Sequence, residues 1–574
     1  MPCKKVIKRV FLALGFFLLI NVKSFALTPL SNTTQTINPK ADFAKLCKVW
    51  GLLKYHHPEV IKGKFNWDAE LVKILPAYST ASSKTLQNVV LLNWIKGLGN
   101  VPATTAVPDS ILSKARMKPD LAWIKNSGFS PALVELLTQI SNYHVKEKQE
   151  YVDVRGEEGV YLFAFTKEDA YKTMEYPTLP YRLLAVYRFW NMIEYWSPYK
   201  DLIKKGWQNQ LPSFIADAVN AQNEAMYIKA IQKMVGAIQD SHGVVIAKQA
   251  ETIKGLWKMP FSIKFIEGKA VINTINPKYL SGVKLQEGAL LNAVDGKAIT
   301  KIFEENKAFV AASNEAIVER EIAKLLTRVQ DSTTLISVTD LDGKIVEHTI
   351  KNRRYNAIAE QTIYEFPYQK DSAYFVLPSG VLYLNAGAVK ASHVEGIKTL
   401  LKQGKVKGLV LDARQYPRSG SGNLVAILEQ SLLPNKVDFA KFASVVLGYP
   451  GYFAFATPMS IGKKNPDHFK GKVAILVNEQ TQSAAEFIAM AYQSVPNAIV
   501  VGSTTAGADG NVTTTFALPG GIFTTFTGLG VFYPDGRQTQ QIGIVPTIKV
   551  KPTIDGFRKH KDEALERAVL ALIN

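Results

Sequence analysis

Trp50, Tyr55, Pro58, Trp67 and Leu71 recur as Trp190, Tyr195, Pro198, Trp207 and Leu211, each 140 positions later. Five matches at a single offset, two of them tryptophans, mark a duplicated unit. Both copies, about 41–101 and 181–242, space apolar residues by three and four, as in Phe43, Leu46, Cys47, Trp50 and Leu53. That is the pattern of helices burying one face, so each copy is expected to be a helical hairpin with the shared tryptophans in its core. The copies differ where they end. The first closes with Gly99-Asn100-Val101-Pro102, the second with Gln239-Asp240-Ser241-His242-Gly243. Shared packing accounts for the tryptophans, so the unshared Ser241-His242 pair is the place to look for an added function.

At 574 residues the chain exceeds what one core usually supports, and a multidomain protein follows. Residues 102–180, between the copies, hold several prolines and a charged section from Lys146 to Glu158, and are expected to form a linker region with some local structure. From 255 to 352 short alternating strands, such as Phe261 to Phe265 and Leu335 to Val338, surround Gly288-Ala289-Leu290-Leu291-Asn292-Ala293-Val294-Asp295-Gly296 and one helix-like stretch, Ser313 to Arg328. The layout resembles a PDZ domain, which binds a chain end by adding a strand to a sheet edge; any small β-rich domain with an Asp-Gly turn is the alternative. Within 353–574, continuous apolar runs (Val381 to Leu384, Gly408 to Leu411, Val473 to Val477, Ala498 to Val501) alternate with helical patterns. Runs buried on both faces imply an α/β core with a largely parallel sheet and its chemistry in strand-end loops.

The amino terminus is set apart. Lys4, Lys5, Lys8 and Arg9 precede the apolar run Val10 to Ile20, and Ser24-Phe25-Ala26 supplies small residues at the cleavage positions, the form of a secretory signal peptide over 1–26. A retained anchor is the alternative, but the run is short of the roughly 20 residues that a span requires. Export to a periplasmic or extracellular location is the expectation. Cys3 leaves with the signal, so Cys47 has no partner for an internal disulfide and reads as a core residue. The net charge of +19 includes five cations of the signal, and the rest are scattered among acids without the basic stripe that nucleic-acid binding needs. His56 and His57 are adjacent, a poor arrangement for joint metal binding, and no other spacing suggests zinc; no metal or cofactor is expected.

The most informative loop follows the run at 473–477: Asn478-Glu479-Gln480-Thr481-Gln482-Ser483-Ala484-Ala485-Glu486-Phe487, leading into a helix to about Tyr492. Ser483 at the helix start is either a helix cap or a nucleophile facing backbone N–H groups that would favour developing negative charge. Thr481-Gln482-Ser483-Ala484-Ala485-Glu486, Asp412-Ala413-Arg414 and the closing Tyr533-Pro534-Asp535-Gly536-Arg537 with Gly543-Ile544-Val545-Pro546 together resemble the C-terminal-processing (tail-specific) serine peptidases over roughly 255–550. The resemblance implies a crotonase-like α/β core, Ser483 as nucleophile and polypeptide substrates. The better-known branch of that family carries a lysine base 25 residues after the serine, where this chain has Ala508. A serine hydroxyl needs some base, and Ser241-His242 resembles the Ser-His pair of the tricorn-like branch, making His242 the general base. That branch completes its relay through the serine with a glutamate; here Gln540 stands in its place, expected to orient Ser241 without offsetting imidazolium charge. The resemblance also implies an oxyanion hole formed by the backbone N–H groups of Ala484 and Arg418, the latter at a position usually occupied by glycine. Glu486 either orients the loop or is a solvated acid of the helix's first turn. Two functions stay open: a protease, and a catalytically weak relative that binds peptides.

Overall fold

The structure is a computed structural model that describes residues 42–146, 148–157, 159–280, 282–355, 372–417 and 420–574. The signal-peptide expectation at 1–26 and the Arg418 oxyanion expectation lie outside the described residues.

The apolar runs of the C-terminal region form a sheet in the order Tyr374–Val376, Val381–Asn385, Gly408–Asp412, Lys472–Val477, Ile499–Gly502 and Ile548–Lys549. The first pair is antiparallel and the others parallel. One face is covered by the apolar cluster containing Leu382, Leu411, Ile475, Phe487 and Tyr492. The other lies against the helix Glu563–Ile573 through Leu565, Ala568 and Leu572. Burial on both faces is why these strands read as unbroken hydrophobic runs.

The helices of the two N-terminal copies also start at equivalent places: Trp67–Thr80 and Trp207–Asn220 coincide at an offset of 140, and Lys84–Gly97 and Glu224–Gly236 begin at that offset. In each, the two tryptophans stack, with ring centroids 6.0 Å apart for Trp50–Trp67 and 6.3 Å for Trp190–Trp207. Each indole Nε1 donates to the other tryptophan's carbonyl, at 3.2 and 3.2 Å in the first pair and 3.4 and 3.0 Å in the second. Burial of an indole is cheap only when its N–H finds an acceptor, and the reciprocal arrangement satisfies both. The helices Phe43–His56 and Leu179–Trp196 cross at Gly51 and Asn191, themselves 140 residues apart. A Cβ on Gly51 would sit 1.8 Å from the Asn191 Oδ1, whose side chain donates to Cys47 O and Tyr187 O. Gly51→Ala is expected to cost about 1–3 kcal/mol through overpacking, measured by urea titration; an unchanged midpoint would refute this close approach.

Residues 102–180 are tied into the fold more closely than a linker would be. Ala115–Met117 pairs with Tyr449–Phe455, and Val152–Glu157 forms a hairpin with Val160–Phe165. The helical core is continuous with Val445, Phe453, Phe516 and Phe526 of the C-terminal region.

The stretch 255–352 is a separate apolar cluster. Its antiparallel sheet runs Ile345–Lys351, Thr333–Thr339, Leu290–Val294, Lys269–Ile275, Phe261–Ile266, with the helix Glu315–Leu326 packed on the last of these. The Asp295-Gly296 turn has positive φ at both residues, 46° and 74°, as a two-residue hairpin of the right twist requires. Among the described residues no helix is long and apolar enough to cross a membrane, and no group of three or more His, Cys, Asp or Glu side chains is placed to hold a metal ion.

Candidate active site

The strand Lys472–Val477 ends in a loop that is pinned before it reaches Ser483. Thr481 is the pin: its hydroxyl accepts from Asn478 N (3.1 Å) and donates to Ala413 O (3.0 Å), while its carbonyl accepts from Ala506 N (2.9 Å). Ser483 then adopts φ 55° and ψ −121° immediately before the helix Ala484–Tyr492. A non-glycine residue in that region is strained and persists only where its surroundings hold it, and a strained strand-to-helix turn is a known way to present a nucleophilic hydroxyl. Ser483 N–H donates to Ala508 O (3.1 Å) and to Glu486 Oε2 (3.2 Å). Burial raises the pKa of the Tyr416 phenol, and the Ser483 side chain works in the opposite direction.

Glu486 is wholly buried, which removes the solvated reading. Oε2 accepts from Ser483 N and Ala508 N (3.0 Å); Oε1 accepts from Thr505 Oγ1 (2.5 Å) and Gly507 N (2.8 Å). One carboxyl group therefore joins the serine turn to the 505–508 loop, the loop that carries Ala508. Burial raises its pKa, opposed by those four hydrogen bonds. Ala484, the first helical residue, has an N–H with no acceptor within the helix.

His242 is brought in by a different element. The strand Val244–Ile246, just after it, pairs antiparallel with Ile522–Thr525, and Thr525 Oγ1 donates to His242 O at 2.6 Å. The ring is nearly buried. Nδ1 is 2.9 Å from Thr527 Oγ1 and 3.7 Å from Asp240 Oδ1. Burial lowers the imidazole pKa below 6.5; the Asp240 carboxylate works in the opposite direction and the Arg320 guanidinium adds to the lowering. The ring is thus neutral and able to accept a proton at pH 7. The two loops meet: Gln482 Nε2 donates to Ser241 O at 3.5 Å, joining the residue before Ser483 to the residue before His242.

Gln540 does not orient Ser241. Its Nε2 donates to Asp240 Oδ1 at 3.3 Å, and its Oε1 is buried without a partner among the described residues. The Ser241 hydroxyl is instead engaged by Ser313: it accepts from Ser313 N (2.9 Å) and lies 2.9 Å from Ser313 Oγ, which also accepts from Ser241 N (2.9 Å). Sequence reasoning had no means of naming Ser313, a residue 72 positions away in another sheet's domain. It also passed over Asp240 and Thr527, although Asp240 stands two residues before His242. From the same domain, Arg320 reaches Glu479 O and Gln482 Oε1, both at 2.8 Å, and Lys264 reaches Glu479 Oε1 at 3.5 Å. The Ser483 loop is therefore held from the 255–352 side as well.

Residues 380–550 match the model of peptidase family S41. The chain carries an S41 serine peptidase domain. The S41 match includes Ser483, Ala484, Glu486 and Gln540, and begins after Ser241 and His242. Among solved structures, mature CPAF in complex with lactacystin is similar at 15% identity and a TM-score of 0.53, covering 69% of this chain and 98% of that one. A CPAF mutant in which a serine is replaced by alanine is similar at 13% identity and a TM-score of 0.53, covering 69% and 97%. These show a shared fold for the S41 domain and the parts around it. No curated protein matches the sequence.

Proposed function

We propose that this chain is an exported endopeptidase that cleaves polypeptides through an acyl-enzyme, with Ser483 as nucleophile and His242 as general base. The observation that carries the reading is the meeting of two distant loops: a serine in a strained turn at a helix start and a neutral, nearly buried histidine, linked through Gln482 and Ser241. His242 takes the Ser483 proton as the hydroxyl oxygen attacks the scissile carbonyl, then returns it to the leaving amine as the tetrahedral intermediate collapses. Water repeats the two steps on the acyl-serine and releases the second product. The N–H of Ala484 and the positive end of its helix favour the oxyanion, with the Arg418 N–H expected as the second donor.

The 255–352 region is read as a PDZ-like module. Phe261–Ile266 ends its sheet beside the helix Glu315–Leu326, the arrangement that accepts an extended chain end as an added strand. Arg320 and Lys264 would then join the bound chain's neighbourhood to the loop before Ser483. A second reading, a peptide-binding relative of weak catalysis, is favoured by Gln540 where an acid is expected.

The test is labelling of the mature protein with a fluorophosphonate. Covalent labelling that is lost in Ser483→Ala and strongly slowed in His242→Ala is the expected result. An unlabelled wild-type protein that still binds peptides would overturn the protease reading in favour of the second.

A further inference from the structure

We propose that Asp240 is the acid of this site, positioning His242 and balancing its charge when protonated, and that Gln540 serves to hold Asp240 rather than to replace an acid. The inference rests on His242 being the base.

The geometry of Asp240 supports this. Its carboxylate is buried, and both oxygens accept hydrogen bonds. Oδ1 accepts from His242 N (3.0 Å) and Gln540 Nε2 (3.3 Å), and Oδ2 accepts from Thr527 N (2.7 Å). The same carboxylate thereby fixes the backbone of His242 and of Thr527, the residue whose hydroxyl meets Nδ1 at 2.9 Å. A proton on Nδ1, donated to Thr527 Oγ1 and drawn toward the Asp240 carboxylate 3.7 Å away, would leave the other ring nitrogen as the base. When His242 becomes imidazolium, Asp240 Oδ1 lies 3.7 Å from Nδ1, close enough to stabilise the new charge in a buried setting. The charged groups facing the ring are Asp240, from its own loop, and Arg320, from the helix Glu315–Leu326. Arg320 opposes protonation, so a compensating anion has to come from Asp240.

Gln540 follows from the same geometry. An amide at this position donates to Asp240; a glutamate would set two carboxylates against each other at about the 3.3 Å now spanned by the hydrogen bond. Placing a glutamate at position 540 is therefore expected to harm this enzyme.

The experiment measures the rate constant of fluorophosphonate labelling against pH for the mature wild type, Asp240→Asn, Gln540→Glu and the double variant, with thermal unfolding of each. Asp240→Asn is expected to slow labelling by about 10³-fold, short of the roughly 10⁴ seen when the acid bonded directly to histidine is lost. Its acid limb should move to lower pH, because the carboxylate that raises the histidine pKa has gone. Gln540→Glu is expected to label more slowly than wild type. The double variant, in which amide and carboxylate exchange places, should regain at least about tenfold over Asp240→Asn, a coupling that a merely structural role would not produce. Asp240→Asn labelling within a few-fold of wild type, or Gln540→Glu labelling faster than wild type, would overturn the proposal. The second criterion holds even if Asp240→Asn fails to fold. His242→Ala separates the two levels: if it labels like wild type, the base assignment fails, whereas a slow His242→Ala beside a fast Asp240→Asn removes only the role of Asp240.

Discussion

Alanine in place of His242 is expected to lower hydrolysis of a denatured polypeptide such as casein by on the order of 10⁶-fold, the loss seen when a serine protease triad loses its histidine. Ser483 is held by Glu486 and Ala508 whether or not the histidine is present, so the variant should fold and unfold like the wild type. What it lacks is a proton acceptor, and without one the hydroxyl is too weak a nucleophile at neutral pH. The pH profile carries a second expectation. The base acts when unprotonated, and burial holds the His242 pKa below 6.5. The rate should therefore rise with pH through a midpoint below 6.5 and be on its plateau at pH 7. A midpoint above 7, or a His242→Ala enzyme within tenfold of wild type, would rule out His242 as the base.

The largest stability effect is expected far from that site. Arg188 is fully buried, and its guanidinium meets Glu168 Oε2 through Nε at 2.7 Å, Asp68 Oδ2 through Nη2, and the carbonyls of Asp169 (2.7 Å) and Ala517 (3.1 Å) through Nη1. Lys54 completes the cluster on Glu168 Oε1 at 2.5 Å, and the Tyr171 hydroxyl donates to Asp68 Oδ2 at 2.9 Å. Burial works against the Arg188 charge, but Asp68 and Glu168 outweigh it and hold its pKa above the usual arginine value. Arg188→Met removes the ion-pair partner of Asp68 and leaves two buried carboxylates, Asp68 and Glu168, facing one buried cation, Lys54. Removing one partner of such a buried group costs about 3–5 kcal/mol, a large part of the total stability of about 5–15 kcal/mol that proteins have. Urea titration measures it. Adding Asp68→Asn to Arg188→Met should return part of the loss, since Lys54 and Glu168 then remain as a balanced buried pair. A loss below about 1 kcal/mol for Arg188→Met would show that water reaches the cluster and screens it.

The Arg188 cluster also marks a limit of the sequence. It joins the first helical copy (Lys54, Asp68), the segment between the copies (Glu168, Asp169), the second copy (Arg188) and the peptidase side (Ala517). Each charge taken alone reads as a solvated residue on a helix or loop. Glu486 was ambiguous for the same reason: an acid in a helix's first turn has the same local signature whether it faces water or, as here, four donors in the interior. Gln540 led the reading astray in a different way. The family resemblance paired it with Ser241, whereas its amide meets Asp240, 300 positions earlier, and Ser241 turns to Ser313.

What the sequence determined by itself was whatever repeats at short range. The runs at 381–384, 408–411, 473–477 and 498–501 are strands of one mostly parallel sheet because double-sided burial demands unbroken apolar residues. The tryptophans of the two copies stack in the helical core because the three-to-four spacing puts them on a buried face. The Ser-His-Ser set was legible as a set of residue types. The tertiary structure alone decided which groups face one another around it: that Thr527 and Asp240 attend the histidine, that Glu486 holds the serine turn, and that Ser313 and Arg320 reach in from the β-rich domain. Those pairings depend on the close packing of segments far apart in the chain, where a few tenths of an ångström separate a hydrogen bond from an empty contact, and no local pattern records them.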